Sequence, residues 1–314
     1  MTRGGPLTHR GAVLMMVGAA LLWSTAGVVT RQLETERSFE MTFWRSAVNA
    51  LALVLMLGWL RGPLPLWRSL RQGGRALWLS GVCWCVMYTA FMLAVMLTTV
   101  ANVLITLALA PLMTALLSRA ALGHRLAPRT WGAIVLAGIG IGWMYGSEVS
   151  GAGPRHLLGT LIALAVPVAA AVNWTLLQHR GGAAQPGRGG AQLDMLPAVL
   201  LGALLSAALT LPMSLPFAAS AHDVAWLSLL GVFQLAIPCL MAVLAARVLP
   251  APEVSLLALL EVVLGVAWAW LGAGEAPSGA VLGGGLLVLL ALAGNEALAL
   301  RAAPVPGKSQ PGSG

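Results

Sequence analysis

The sequence predicts an all-α integral membrane fold: ten transmembrane helices, arranged as two inverted five-helix repeats around a central cavity. Three observations carry that expectation. The first is composition, with 59% hydrophobic residues, 9% charged residues and a mean hydropathy of +0.86. A soluble domain carries about 25% charged residues, so this chain lacks the polar surface that a water-facing fold needs. The second is a succession of apolar runs near the length a bilayer requires, roughly 20 residues to cross about 30 Å at about 1.5 Å each. The third is an internal echo at a single offset close to half the chain length.

The spans follow in order along the chain. The first half offers 11–30, 42–60, 76–97, 100–118 and 130–145, and the second offers 157–177, 197–215, 224–245, 254–272 and 279–298. Charged or turn-forming residues bound nearly all of them. The division at 98–99 has no such boundary and rests on length. Arg3 and Arg10 precede the first run as in a signal peptide. That run is too long for an h-region and lacks a small-x-small cleavage site, so a retained first helix is expected.

The echo is seen by sliding 108–132 forward onto 259–283. Gly123 then falls on Gly274, His124 on Glu275, Gly132 on Gly283 and Ala110 on Glu261, and the same shift carries Trp23 onto Trp174 (174 − 23 = 151). Several coincidences at one offset point to duplication. Five spans per half would make the second half enter the membrane from the opposite face, which inverts it relative to the first. The expected units are residues 1–146 and 155–300, with a connector at 147–154 and a Pro-, Gly- and Ser-rich tail at 301–314 that should be disordered. Residues 181–192 form a flexible loop within the second unit.

Charge sets the orientation. Of 18 Lys and Arg, fourteen lie in segments assigned to the cytoplasm, three (Arg31, Arg37 and Arg155) lie opposite, and Arg45 falls inside the second span. This positive-inside bias places both termini in the cytoplasm. The net charge of +8 therefore reflects membrane topology rather than nucleic-acid binding. Cys83, Cys85 and Cys239 all sit in apolar runs. Cys83 and Cys85 point to different helix faces, so neither a disulfide framework nor a metal site is expected.

Four stretches carry a resemblance: LLWSTAGVVTRQL in the first span, FWRSAVNAL opening the second, TTVANVLITLALAPLMTALLSRAALGHRL across the fourth, and LLALLEVVLGVAWAWLGAGEAPSGAVLGGGLLVL near the end. Over essentially its full length the chain resembles the EamA-like branch of the drug/metabolite transporter superfamily. The resemblance implies ten helices, two inverted repeats, and a central cavity from which small metabolites, often amino acids or related compounds, are exported. Two positions depart from the pattern. His124 stands where the family usually has an acid, and Glu261-Val262 replaces the usual Glu-Pro, so the resemblance supplies no proline kink in the ninth span.

Glu261 is the deepest acid. It is a candidate to bind a cationic group or carry a proton; the other reading is that it hydrogen-bonds an unpaired group within the bundle. Trp84, Tyr88 and Phe91 share one helix face at spacings of four and three. With Trp23, Asn173 and Trp174 they are candidates to line the cavity, or else to pack helices. Asn102, Thr106 and Gln234 are buried polar groups that would contact solute or join helices. Arg45 lies near the outer end of its helix and is expected to snorkel to water, with a substrate role as the other option. Trp44, Trp59, Trp78, Trp131, Trp143 and Trp226 fall near span ends, as an interfacial belt does. Pro111, Pro167 and Pro238 interrupt spans and invite bends, whereas the glycines at 138–142 and 283–285 suit close helix packing.

The expected function is secondary transport, by alternating access, of a small organic solute across the cytoplasmic (inner) membrane, with efflux implied by the resemblance. No catalytic residue, cofactor or metal is expected, and the partners are a small-molecule solute and the lipid bilayer, with proton coupling through Glu261 as an option. The alternative is a membrane-embedded enzyme acting on a lipid or isoprenoid, but the chain has no second deep carboxylate and no clustered ligand set.

Overall fold

The computed structural model describes residues 7–26, 29, 33–34, 38–98, 100–123, 127–145, 154–182, 194–273 and 279–302, and among them the regular structure is helical throughout. Most of the expected connector at 147–154, most of the 181–192 loop, His124, Gly274, Glu275 and the tail from 303 lie outside the described residues. The helices are α1 His9–Trp23, α2 Ser38–Arg61, α3 Pro63–Gln72, α4 Gly74–Leu97, α5 Val100–Leu107, α6 Ala110–Leu122 and α7 Pro128–Tyr145. They continue as α8 Pro154–Gly182, α9 Leu196–Ser214, α10 Ala221–Leu229, a π-helical turn at Leu230–Ala236, α11 Ile237–Ala245, α12 Ala251–Ala258, α13 Leu260–Ala273 and α14 Gly279–Ala302.

Five of these stretches are long and apolar enough to cross a membrane: Phe39–Arg61, Gly74–Leu97, Leu157–His179, Leu196–Ser214 and Ala221–Ala245. His9–Trp23 and Leu282–Asn295 are shorter apolar helices. Two expected spans are broken. The run 100–118 divides into α5 and α6 at a turn over Ala108 and Leu109, just before Pro111, whose missing N–H cannot continue the ladder. The run 254–272 divides at Leu259, between α12 and α13, although no proline stands there. Pro167 lies inside an uninterrupted α8, whereas the π-helical turn ends two residues before Pro238.

The segment between the second and third spans is helical rather than a loop. α3 begins with Pro63 at its first turn, a position that tolerates the missing donor. It buries Leu66 and leaves Leu64 and Trp67 exposed beside Arg68 and Arg71. The Arg71 guanidinium lies 5.7 Å from the centroid of the Trp67 ring.

Helix boundaries repeat at the shift of 151. α5 carries onto α12, whose bounds are Ala251–Ala258, and the last residue of α6, Leu122, onto the last of α13, Ala273. The first residue of α7, Pro128, falls on the first of α14, Gly279. Packing repeats in the same way. α4 packs on α8 as α1 packs on α11, and α4 on α9 as α2 packs on the π-helical turn. α6 meets α8 as α13 meets α1, α2–α9 and α7–α14 each pair a helix with its own counterpart, and α6 also meets α12, the counterpart of its neighbour α5.

Polar contacts gather at the two ends of the bundle. At one end Asp194 pairs with both Arg61 and Arg247, His9 with Glu253 at 3.2 Å, and Arg129 donates to the Leu298 carbonyl. Partial burial holds the Arg247 guanidinium below its ordinary basicity, though an arginine stays charged at any working pH. At the other end the buried Glu40 carboxylate accepts from the backbone of Ala218 and Ala219, each at 2.8 Å. There too Asp223 accepts from the Glu34 backbone and Arg155 donates to the Met96 carbonyl. Trp59, Trp78 and Trp143 are exposed, as interfacial residues should be, whereas Trp44, Trp131 and Trp226 pack against buried clusters.

Candidate functional site

Two close helix crossings fix the middle of the bundle. A Cβ at Gly202 of α9 would stand 2.3 Å from the Trp84 Cβ and 2.9 Å from the Gly81 carbonyl of α4. A Cβ at Gly231, in the π-helical turn, would stand 2.8 Å from the Arg45 carbonyl and 3.0 Å from the Asn49 nitrogen of α2. Glycine is required at both because the neighbouring backbone occupies the space. The crossings hold Trp84 on one side and Arg45 with Asn49 on the other.

From these anchors the aromatic cluster follows. Trp84 and Tyr88, one helical turn apart on α4, have ring centroids 5.6 Å apart. Trp174 of α8 meets Trp84 edge-on at 5.6 Å. Next to it, the fully buried Asn173 accepts a 2.6 Å hydrogen bond from Ser80, one turn before Trp84. Of the residues expected to line a cavity, Trp84, Tyr88, Asn173 and Trp174 are thus assembled into one packed cluster. Phe91 is half-buried and turns toward Arg45, whose guanidinium carbon lies 5.9 Å from its ring centroid.

Arg45 corrects the expectation that it would snorkel. It is 1% exposed, donating to the Tyr88 carbonyl at 3.3 Å and to Gln234 Oε1 at 3.5 Å. α2 packs against α9, α4 and the π-helical turn, so the side chain is enclosed before it can reach the helix end. Gln234 in turn donates to the Trp23 carbonyl at 3.5 Å, linking α1, α2 and the π-helical turn. A π-helical turn inserts a residue into the ladder and re-aims the side chains on it, and Gln234 lies within it.

Glu261, Gly265 and Trp268 share one face of α13. That face meets the end of α1, where the Trp268 indole donates to the Ser24 hydroxyl at 2.9 Å and Gly265 approaches the Ser24 carbonyl. Glu261 is half-buried there and acts electrostatically on Cys239 of α11. Cys239 also neighbours Trp23, Arg45 and the Tyr88 hydroxyl. The deep acid therefore borders the aromatic and polar cluster rather than standing apart from it. Thr106 is buried in α5, and the Asn102 side chain lies outside the described residues.

Asn49, Ser80 and Cys239 were not singled out from the sequence. Arg45 and Asn49 stand one turn apart inside an apolar span, a spacing that could have drawn attention to a shared polar face. Away from the centre, the ligand atoms of Glu34, His222 and Asp223 lie within 4.8 Å of one another. Asp223 is engaged there by the Glu34 backbone and His222 by the Trp226 indole.

A bundle of apolar helices with a buried polar centre defines a multi-pass integral membrane protein. Residues 10–146 match the EamA-like transporter family, which belongs to the drug/metabolite transporter superfamily. That family is one of membrane transporters, which implies a small-molecule solute and a bilayer environment. A protein solved by crystallography shares the fold at a TM-score of 0.75 and 21% identity, over 94% of this chain and 99% of its own. No curated protein matches the chain in sequence.

Proposed function

We propose that the chain is a ten-span secondary transporter that exports a small organic solute, an amino acid or related compound, across the cytoplasmic membrane. Its halves, 1–146 and 155–300, act as inverted repeats, and both termini face the cytoplasm. Alternating access comes from motion of one half against the other around a site in the middle of the bilayer.

One observation carries this reading. Arg45, Trp84 and Tyr88 from the first half converge with Asn173, Trp174, Gln234 and Cys239 from the second at the depth where the two halves meet. A mid-membrane polar site shared by two repeats is what alternating access needs. The repeated helix bounds and the mutual packing of counterpart helices support the duplication. The grouping of polar contacts at two ends supports the orientation. Trp23, Trp84, Tyr88, Asn102, Asn173, Trp174, Gln234 and Glu261 are the residues proposed to meet solute.

Counterflow in proteoliposomes, with labelled amino acids, purine derivatives and sugars, tests the proposal. Recovery of at least one solute chemically unchanged on the far side is expected. Chemical conversion of the solute, or no movement of any, overturns it. If transport is coupled to protons, Glu261 carries them: Glu261→Gln then removes the dependence on a pH gradient, and wild-type coupling in that variant refutes the role.

A further inference from the structure

The centre of the bundle holds a buried cation without a matching anion. Arg45 is 1% exposed, and among the described residues no carboxylate lies within ion-pair distance of it. The half-buried Glu261 acts electrostatically on Cys239 and makes no ion pair with the guanidinium. A charge removed from water is costly unless an opposite charge and full hydrogen bonding compensate it. Arg45 has neither. Its two contacts, at 3.3 and 3.5 Å, are longer than the roughly 2.7–2.9 Å of a good charge-assisted bond, and Nε has no partner.

The surrounding polar atoms are unbalanced in the same sense. Arg45 Nε, Asn49 Nδ2, Trp84 Nε1 and Asn173 Nδ2 are all buried donors without a partner. Asn49 Oδ1 and the Tyr88 hydroxyl, which both donates and accepts, complete the unpartnered set here. Buried donors left open are rare in folded proteins and ask for an explanation. Three of these lie on two helices that face each other: Arg45 and Asn49 one turn apart on α2, and Trp84 on α4 one turn before Tyr88, whose hydroxyl approaches Asn49; Asn173 is on α8. Such a set is completed by a ligand that brings acceptors and negative charge.

We infer that Arg45 anchors a carboxylate group of the transported solute, with the solute's apolar or aromatic body against Trp84, Tyr88 and Phe91. This rests on the transport reading and narrows its solute to small carboxylic acids. The guanidinium fork matches a carboxylate with two parallel bonds, and the weak contacts to Gln234 and Tyr88 are those it would exchange for them. The aromatic faces suit a planar or apolar body.

The full chain in proteoliposomes tests this by counterflow with three acids and their neutral or cationic counterparts. The probes are labelled phenylalanine, leucine and phenylacetate, set against phenylalaninamide, leucinamide and phenylacetamide. On wild-type protein at least one acid is expected to exchange at least about tenfold faster than its amide, the discrimination that losing a charge-assisted bond brings. Arg45→Gln should erase the preference, and Arg45→Lys should keep part of it, because charge survives but the fork does not. The wild-type comparison stands even if Arg45→Gln fails to fold. Equal exchange of acids and amides, or an unchanged preference in Arg45→Gln, overturns the anchor while leaving the transport reading intact. Exchange of none of these probes, in liposomes that do exchange a purine or a sugar, also overturns the anchor alone. Exchange of nothing at all overturns both.

Discussion

Substituting Gly202 with alanine adds one methyl group at the crossing of α4 and α9. Its carbon would stand 2.3 Å from the Trp84 Cβ, 2.9 Å from the Gly81 carbonyl and 3.0 Å from the Cys85 nitrogen. Carbon atoms pack best at about 3.5–4.0 Å, so the helices must separate by roughly 1.2 Å or more. Every obstacle is backbone or a Cβ, and no side-chain rotation relieves the clash. Overpacking of this kind costs about 1–3 kcal/mol. Against it stands the gain from replacing glycine inside a helix, at most about 1 kcal/mol. A net loss of about 1–2 kcal/mol is expected, together with displacement of Trp84 from Trp174. Gly58 of α2 is the control, because a Cβ there meets nothing within 4 Å. Gly58→Ala should therefore stabilise, or leave stability unchanged. Thermal unfolding of the detergent-solubilised protein, followed by size-exclusion chromatography with fluorescence detection, reads both variants. A Gly202→Ala midpoint at or above that of wild type, or equal to that of Gly58→Ala, would refute the packing argument.

Two further variants probe the polar supports of the site and of the bundle end. Ser80→Ala leaves the buried Asn173 carbonyl oxygen without its 2.6 Å donor, which should cost about 1–3 kcal/mol and lower the unfolding midpoint; an unchanged midpoint would mean that the bond is dispensable. Glu40→Ala releases the two backbone donors of Ala218 and Ala219, a loss of about 2–4 kcal/mol, whereas Glu40→Gln keeps an acceptor and should lose less. Limited proteolysis of the 215–220 segment reports the difference, and equal cleavage of the two variants would contradict the capping role.

Much of the fold is legible in one dimension. Runs of apolar residues place α4, α9 and α14 within a few positions, because a helix that meets lipid must be apolar along its whole length. Even the end of α4 at Leu97, expected from length alone, is where the structure closes the helix with Thr98 in an extended conformation. The shift of 151 is legible in the pairing of Trp23 with Trp174. What escapes the sequence is local or three-dimensional. α3 is amphipathic and too short to span, so a search for apolar runs passes over it. The turn at Leu259 lacks the proline that marks its counterpart before Pro111, and the π-helical turn at Leu230–Ala236 has no residue signature. Arg45 shows the limit most clearly. Depth along a helix suggested escape to water, but enclosure by three neighbouring elements decides its burial, and those neighbours are distant in sequence. The aromatic candidates fared better because helical spacing already placed Trp84 and Tyr88 on one face.

The central claim is that the two halves are inverted copies, and equivalent positions on opposite membrane faces test it most directly. Arg71 and His222 are both exposed and stand 151 positions apart. In a background with Cys83, Cys85 and Cys239 replaced, single cysteines at these two sites can be treated in intact cells with a membrane-impermeant thiol reagent. The account predicts labelling at 222 in intact cells and at 71 only after the membrane is opened. Labelling of both positions from the same face would contradict it.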